Sequence, residues 1–424
     1  MQFRRTTNRR QFLRLSALGA AGALLAACAS QTPTTAPTQA AVPTAAAKPT
    51  TAAAASPTAA GAPAVSNKPN YTVPTFDLKL GFLGPLTGDV KTFGESTRNA
   101  FQMAVDENNA NGGKITVSIN DDKNDATEAV NAVNKMITQD GVKAIVGSVT
   151  SKCTIPAADT ANSSKIPLVT PTATSPLVTV ADGKRKDYIF RVCFIDDFQG
   201  PAMANFALSN LKLKTAAVLY DKSNAYSSGL AGFFKDAFTK NGGTVPVFEA
   251  YATADVDFSA ILTKVQASKP DFLYLPDYYN KVNLIAQQAR QMGITAVMGG
   301  GDGWDSPDLK MDVVDGSYFT NHYSPDDPRP EVVNWVAKYK AKFNVVPDAL
   351  ATLAYDATNV VLAAAGQAGS ADSTKIRDAL VALKDFPAVS GKITFDKNGN
   401  PTKNLTIVGI KGGKYTFAGS VAPQ

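Results

Sequence analysis

An alternation of short apolar runs with helical patterns begins at Phe76, and it constrains the fold of this 424-residue chain more than any other feature. Runs such as LKLGFLG, KAIVGS and TAAVLYD are almost continuously apolar, as in parallel strands that helices cover on both faces. The segments between them, such as ATEAVNAVNKMITQ and GLAGFFKDAFTK, keep their apolar residues at helical spacing. The order therefore predicts right-handed βαβ units and an α/β fold.

The alternation occurs twice and then stops, which predicts two lobes. A second set of strands and helices follows YIFRVCFIDDFQG. After GSYFTNHY come three helical patterns in a row and a β section, in which Asn398-Gly399 and Gly412-Gly413 are expected hairpin turns. The folded part, about 350 residues, also exceeds what a single core usually supports. We therefore expect two parallel-sheet units between which the chain crosses back.

The first 28 residues, MQFRRTTNRRQFLRLSALGAAGALLAAC, have the parts of an export signal. Five arginines form a basic start, and the apolar stretch from Leu15 to Ala27 is too short to span a hydrocarbon core of about 30 Å. Leu25-Ala26-Ala27-Cys28 resembles a bacterial lipobox, in which the cysteine is lipidated. NRRQFLR also resembles a twin-arginine motif, but both export routes use a basic start. Residues 1–28 are therefore predicted to be a signal peptide, with Cys28 anchoring the mature chain to the membrane.

Residues 29–70 have the composition of a tether. They consist almost entirely of Ala, Thr, Pro and Ser and contain no aromatic residue. Such a segment buries too little apolar surface to offset the entropy lost on ordering. We expect a disordered linker that holds a ligand-binding domain, residues 71–424, near the membrane.

The net charge of +6 belongs to these N-terminal segments. Five arginines in the signal, with Lys48 and Lys68 in the tether, carry seven positive charges, which leaves the folded part at −1. A basic surface of the kind that binds nucleic acid is therefore not expected.

The rarity of histidine and cysteine excludes several further classes of site. The single histidine, His322, argues against histidine-rich metal sites and histidine-activated nucleophiles. Neither GxxxxGK[ST] nor GxSxG occurs in the sequence. We expect no metal and no cofactor. Cys153 and Cys193 either form a disulfide or remain two buried thiols, and the sequence leaves both alternatives open.

Hydroxyl side chains follow two neighbouring strands of the first unit. Ser151 lies in GSVTSKCT and Thr174 in TPTATSP, in each case after an apolar run. Ligands of open α/β sheets bind beyond the carboxyl ends of the strands, where a helix N-terminus favours an anion. Either residue alone is more simply an ordinary N-cap. Together, at adjacent strand ends, they indicate a site for a carboxylate.

The second unit offers groups of complementary charge. Asp302 lies in GGGDGW, where glycines permit close approach of the backbone. This aspartate is either a turn residue or the partner of an ammonium group. Tyr226, Tyr278 and Tyr279 lie on loops and are suited to form aromatic walls, although one or two of them are equally suited to packing. A cleft with hydroxyls on one wall and a carboxylate on the other fits a zwitterion.

Several longer stretches resemble the branched-chain amino-acid binding proteins, which are type I periplasmic receptors of ABC transporters. In the first unit these are LGPLTGDVKTFGESTRNAFQMAVDENNANGG, GSVTSKCTIPAADTA and IPLVTPTATSP. YDKSNAYSSGL, GGDGWDSPDL, PDALATLAYDA and GKITFDKNGNP extend the similarity to the carboxyl end. The resemblance covers nearly all of residues 76–424 and rests on the order and spacing of the stretches.

The resemblance implies a fold of two doubly wound parallel-sheet lobes joined by three hinge crossovers. Lobe 1 is expected at about residues 76–195 and 322–405, and lobe 2 at about residues 196–321 and 406–424. The hinges are expected near residues 194–199, 318–323 and 404–408.

The resemblance also implies a set of ligand-binding residues. Ser151 and Thr174 fall on the positions that bind the ligand carboxylate, Asp302 on the position that holds the α-ammonium group, and Phe93 at the mouth of the cleft. The full set is Phe93, Val149, Ser151, Thr172, Ala173, Thr174, Tyr226, Tyr278 and Asp302. The family often has Glu in place of Asp302, and the loop before Tyr226 is one residue longer here, so leucine, isoleucine and valine are candidates beside amides, urea and aromatic acids.

The implied function is that of an exported, lipid-anchored, monomeric receptor that delivers an amino acid to the permease of an ABC transporter. A sensor that passes closure to a signalling partner is an alternative with the same fold. A hydrolase using Ser151 is a third, which the lack of a histidine near any plausible nucleophile disfavours. We therefore expect a binding protein and not an enzyme.

Overall fold

The structure, a computed structural model, describes residues 69–423. The signal peptide, the lipidation of Cys28 and nearly all of the tether lie outside the described residues.

The helices are α1 (Lys91–Ala110), α2 (Ala126–Lys135), α3 (Ser151–Ser163), α4 (Asp196–Ser209), α5 (Ala225–Lys240), α6 (Ser259–Ser268), α7 (Tyr279–Gln291), α8 (Pro330–Phe343), α9 (Ala349–Ala368) and α10 (Ser373–Ala382). The strands are β1 (Asp77–Gly84), β2 (Lys114–Asp121), β3 (Ala144–Val146), β4 (Leu168–Thr170), β5 (Val180–Ala181), β6 (Lys184–Arg185), β7 (Ile189–Arg191), β8 (Thr215–Asp221), β9 (Thr244–Tyr251), β10 (Phe272–Tyr274), β11 (Val297–Gly300), β12 (Tyr318–Asn321), β13 (Phe386–Ala388), β14 (Gly391–Ile393), β15 (Leu405–Lys411) and β16 (Lys414–Val421).

The first lobe is built on a five-stranded sheet of order β2-β1-β3-β4-β7, in which every pair is parallel. On one face, side chains such as Phe82 pack with α1, α9 and α10. On the other face, side chains such as Leu83 pack with α2 and α3. Successive residues of a strand point to opposite faces, so both faces of this sheet are buried. The doubly wound arrangement expected from the apolar runs is confirmed.

The second lobe has a seven-stranded sheet of order β16-β15-β12-β11-β10-β8-β9. The five strands from β8 to β12 are parallel, whereas β15 and β16 are antiparallel additions at one edge. The parallel strands expected for this lobe are thus present, and the β section at the carboxyl end joins their edge. The two strands of that section meet at the two-residue turn Gly412-Gly413, where φ is 58° and 72° and the predicted hairpin forms.

The chain crosses between the two sheets three times. It passes from β7 to α4, from β12 to α8, and finally from the β-bridge between Phe395 and Pro401 into β15. These crossovers place the carboxyl ends of both parallel sheets opposite each other. A cleft between the lobes is the result.

Two further features settle questions that the sequence raised. Helix α9 is long and apolar enough to cross a membrane, but 94% of its apolar stretch is buried, and it packs against the sheet of the first lobe as a core helix. Cys153 and Cys193 are both free and buried, and they belong to different core clusters. Of the two alternatives for these cysteines, the structure has the pair of buried thiols.

Candidate ligand-binding site

A small cavity lies where the carboxyl ends of the strands of the two lobes meet. Most of its lining is buried, because the lobes are closed on one another: Thr92 Oγ1 lies 3.0 Å from Ser306 Oγ across the cleft. The cavity is lined by Phe93, Val149, Thr150, Ser151, Thr172, Thr174, Tyr226, Tyr278, Asp302, Gly303 and Leu350. Every predicted site residue except Ala173 is therefore brought to one place.

The wall from the first lobe consists of a helix N-terminus and two hydroxyls. Helix α3 begins at Ser151, after the short loop that follows β3, and the first amides of a helix have no acceptor within it. Ser151 Oγ accepts a hydrogen bond from the amide of Ser175 at 3.2 Å. The N-cap of α3 is Thr150, and its side chain makes no capping hydrogen bond. The interpretation of Ser151 as an ordinary N-cap is therefore wrong.

The hydroxyl of Thr174 is buried and has no hydrogen-bond partner among the described residues. Thr174 also precedes the flanking residue of a short 3-10 turn, Ser175, so it is not an N-cap. Burial raises the pKa of the nearby Asp196 carboxyl well above its usual value, and the charge of Asp302 adds to this, whereas Thr174 acts in the opposite direction. No hydrogen bond of standard geometry joins Thr174 to Asp196. A hydroxyl of this kind is suited to a ligand that supplies an acceptor.

The loop that carries Thr174 is held from behind by Arg191 of β7. Its guanidinium donates to the carbonyl oxygens of Ala173 at 2.8 Å and of Ser175 at 2.9 Å. The amide of Ala173 donates to Thr170 Oγ1 at 3.1 Å. Both backbone groups of Ala173 are thus engaged away from the cavity, which Ala173 does not line. The expected backbone contribution of Ala173 to ligand binding stays a prediction, for groups that Arg191 and Thr170 also bind.

We expect the substitution Arg191→Lys to destabilise the protein by about 2–4 kcal/mol, because the single nitrogen of lysine does not reproduce the two separate donors, Nη1 and Nη2, that bind these carbonyls. The measurement is the midpoint of thermal unfolding, which should fall by several degrees. Arg185→Lys is the matched control, because Arg185 is partly exposed and donates to one backbone carbonyl, that of Lys397. Equal effects of the two substitutions would contradict the role given to Arg191.

The wall from the second lobe is centred on Asp302, which begins a short 3-10 turn directly after β11. Its Oδ1 accepts from the hydroxyl of Tyr226 at 3.0 Å, and its Oδ2 lies 3.0 Å from Nε2 of His322. The amide of Gly303 in turn donates to the Tyr226 hydroxyl at 3.0 Å. A Cβ atom on Gly301 would lie 2.4 Å from that hydroxyl oxygen, which explains the glycine-rich sequence around Asp302.

The carboxylate of Asp302 lacks a permanently charged partner. In the described part of the chain, its one ion-pair contact is His322. Burial lowers the pKa of the His322 imidazole, which favours the neutral ring. The pKa of Tyr226 is raised by burial and by the charge of Asp302, so its hydroxyl remains a neutral donor. Two neutral groups therefore orient Asp302 without compensating its charge, and a cationic ligand group fits here.

Aromatic rings form the rest of the wall. The rings of Tyr226 and Tyr278 stack at 5.1 Å, and Phe93 meets Tyr278 edge-on at 5.7 Å. Tyr279, a further candidate, does not line the cavity. Its hydroxyl donates to the carbonyl of Asp89 at 3.2 Å, so it serves the packing of the two lobes.

The sequence did not single out three of the lining residues, namely Thr150, Gly303 and Leu350. Thr150 and Gly303 adjoin residues that were selected, so strand-end position could have identified them. Leu350 is the second residue of α9, and its helical apolar spacing indicates only a core position. The tertiary structure alone brings Leu350 to the cavity.

A second, larger cavity contains the carboxylates of Asp305 and Asp348. Groups of the protein already bind both carboxylates. Asp305 accepts from Asn321 and from the amide of Ala349, each within 2.9 Å, and Asp348 accepts from Ser96 at 2.6 Å. The smaller cavity, with its uncompensated carboxylate and free hydroxyl, is therefore the candidate site.

The comparisons of this chain with known proteins agree with one another. Residues 77–414 match the family model described as periplasmic binding protein. The Leu/Ile/Val-binding protein BraC3 of Rhizobium johnstonii is 34% identical over 351 residues, which cover 81% of this chain and 94% of the relative. Two crystal structures superpose with a TM-score of 0.77 and cover 82% of this chain. They are the leucine-binding protein LivK of Thermotoga maritima (37% identical, 99% of that chain covered) and the branched-chain amino acid transporter substrate-binding protein LivJ of Streptococcus pneumoniae in complex with isoleucine (32%, 100%).

Proposed function

The chain belongs to the periplasmic binding protein family, and we propose that it is the substrate-binding protein of an ABC transporter whose ligand is a branched-chain amino acid. The proposal rests on one observation above all. A buried carboxylate without a permanently charged partner, Asp302, faces a helix N-terminus and the free hydroxyl of Thr174 across the cavity. A zwitterion satisfies both walls at once.

The ligand is oriented by its two charged groups. Its α-carboxylate lies at the start of α3, where it accepts from Ser151, Thr174 and the first amides of the helix. Its α-ammonium group donates to Asp302. Its side chain contacts Phe93 and Leu350, which are apolar lining residues. The apolar contacts and the names of the relatives favour leucine, isoleucine or valine.

Binding and release require a hinge motion at the three crossovers. The residues that bind the carboxylate belong to the first lobe, and Asp302 belongs to the second. A ligand that contacts both lobes favours the closed form over an open one. The cavity is built from one chain, so a monomer suffices for binding.

The experiment that tests this function measures the midpoint of thermal unfolding of the chain, after refolding has freed it of bound ligand. The midpoint is measured in the presence of leucine, isoleucine, valine, other amino acids, amides, urea or benzoate, one at a time. A ligand at about 100 times its dissociation constant stabilises the fold by about 2.7 kcal/mol, a shift of a few degrees. We expect the largest shifts with the three branched-chain amino acids. A shift with an amide or an aromatic acid, and none with any amino acid, would overturn the ligand assignment. Because the protein binds and does not catalyse, each ligand should be recovered chemically unchanged.

We propose further that the protein is exported and anchored by lipidation of Cys28, where it delivers its ligand to the permease. The basic start, the apolar stretch and the lipobox-like LAAC support this. Substitution of Cys28 by alanine should move the exported protein from the membrane fraction to the soluble fraction, because one or more acyl chains would be lost. Cys153→Ala, which changes a buried thiol of the fold, is the control and should leave the protein with the membrane. A Cys28→Ala variant that stays in the membrane fraction would contradict the anchor.

A further inference from the structure

His322 lies at the junction of the hinge and the candidate site. It is the first residue after β12, on the second crossover, and its side chain is fully buried. Its ring stacks on Phe194 of the first crossover, with ring centroids 3.7 Å apart. Its Nε2 reaches Oδ2 of Asp302 at 3.0 Å. One ring therefore contacts two crossovers and the carboxylate that is proposed to hold the ligand.

The chemistry of the contact assigns the tautomer of His322. A carboxylate only accepts hydrogen bonds, so in the neutral ring the proton is on Nε2 and Nδ1 is an acceptor. Nδ1 is buried and has no partner among the described residues. Leaving a buried acceptor unpaired is unfavourable, so the hydrogen bond to Asp302 and the stacking on Phe194 must hold the ring in place. The His322 ring is therefore oriented so that Nε2 binds Asp302, although Nδ1 is left without a partner among the described residues.

The surroundings keep the ring neutral. Burial lowers the pKa of His322, the charge of Lys403 acts in the same direction, and Asp302 opposes both. A neutral donor fixes the direction of the carboxylate without cancelling its charge. A permanently charged arginine or lysine at this position would pair with Asp302 and compete with a ligand cation.

A second group holds the backbone of the same residue. The amide of Asp302 donates to Oε1 of Gln199 at 2.8 Å, and Thr320 Oγ1 donates to the same oxygen. Gln199 lies in the first turn of α4, just after the first crossover. Asp302 is thus fixed at its backbone from one crossover and at its carboxylate from another.

We infer that His322 is a positioning residue for the ligand's ammonium group: from the hinge, it aims the carboxylate of Asp302 as a neutral hydrogen-bond donor. The inference deepens the proposed function and rests on it. It assigns to His322 a share of the selectivity for ligands that carry an ammonium group, although the histidine does not line the cavity.

The test compares two substitutions in the full chain by calorimetric titration with leucine. His322→Phe keeps an aromatic ring against Phe194 and removes the donor, whereas His322→Gln keeps a neutral N–H donor. We expect the Phe variant to bind leucine about 10- to 100-fold more weakly, as when outer groups that orient a metal ligand are removed. The Gln variant should stay within about threefold of the parent protein. The thermal midpoints of the ligand-free variants report separately on folding.

A double-mutant cycle with Asp302→Asn separates positioning from general packing. If His322 acts through the Asp302 carboxylate, His322→Phe should change the affinity by no more than about twofold in the Asp302→Asn background. The inference is overturned if the Phe variant binds leucine as well as the parent, if the Gln variant is as weak as the Phe variant, or if the Phe substitution costs the same factor in both backgrounds. Failure of the parent protein to bind any amino acid would instead overturn the proposed function.

Discussion

Replacement of Asp302 by asparagine should weaken leucine binding by about 100- to 1,000-fold. The substitution keeps the size of the side chain and removes its charge, so the ligand's ammonium group would be buried in a closed cavity without a counter-charge. Removing one partner of a buried, hydrogen-bonded charge pair typically costs about 2–5 kcal/mol, and the expected range lies within that span. Calorimetric titration with leucine measures the effect directly.

The control for the lost charge is Asp236→Asn. Asp236 is exposed on α5 of the same lobe, so this variant has the same net charge as the Asp302 variant but leaves the cavity intact. We expect its affinity for leucine to match that of the parent protein. Unchanged affinity of the Asp302→Asn variant would refute the assignment of Asp302 as the ammonium-binding group.

Replacement of Thr174 by valine should lower the affinity for leucine by about 10- to 100-fold while leaving the stability of the ligand-free protein nearly unchanged. Valine has the shape of threonine without its hydroxyl, and in the ligand-free protein this hydroxyl has no hydrogen-bond partner to lose. In the complex it would donate to the ligand carboxylate, and hydrogen bonds to charged groups contribute about 1.5–3 kcal/mol. Titration with leucine and thermal unfolding without ligand measure the two quantities separately.

The neighbouring Thr170 is a matched control, because its hydroxyl is hydrogen-bonded within the ligand-free protein, unlike that of Thr174. Its hydroxyl donates to the carbonyl of Ser148 at 2.6 Å and accepts from the amide of Ala173 at 3.1 Å. Thr170→Val should therefore destabilise the ligand-free protein by about 1–3 kcal/mol, because two buried backbone groups lose their partner. If Thr174→Val destabilised the ligand-free protein as much as Thr170→Val, its hydroxyl would be structural.

The parallel strands of the two sheets could be predicted because they depend on local patterns. Continuous apolar runs identify parallel strands, and the strands of the first lobe are buried on both faces as those runs require. The assignment of residues 406–424 to lobe 2 came from the resemblance, because a hairpin turn by itself does not reveal which sheet its strands will join. Strand β7 was also difficult to predict, because Ile189–Arg191 contains a buried arginine, which does not fit the apolar pattern of a buried strand.

The same distinction applies to the candidate site. Ser151 and Asp302 could be found because they lie in the loops after parallel strands, which bring their carboxyl ends together. Arg191 could not, because it lies within a strand. His322 follows β12, but its role could not be found because it acts through another residue. An isolated histidine in a crossover has no sequence signal for its partner, which lies 20 residues earlier in the chain.

The division of the cavity between two lobes has a kinetic consequence. A ligand enclosed by both walls cannot diffuse out until the crossovers bend, so the rate of opening sets the upper limit of its dissociation rate. Substitutions in the crossovers can therefore lengthen or shorten the residence time of the ligand without altering any group that touches it. For a receptor that must release its ligand to another protein, the stiffness of the three crossovers would be as important as the chemistry of the cavity.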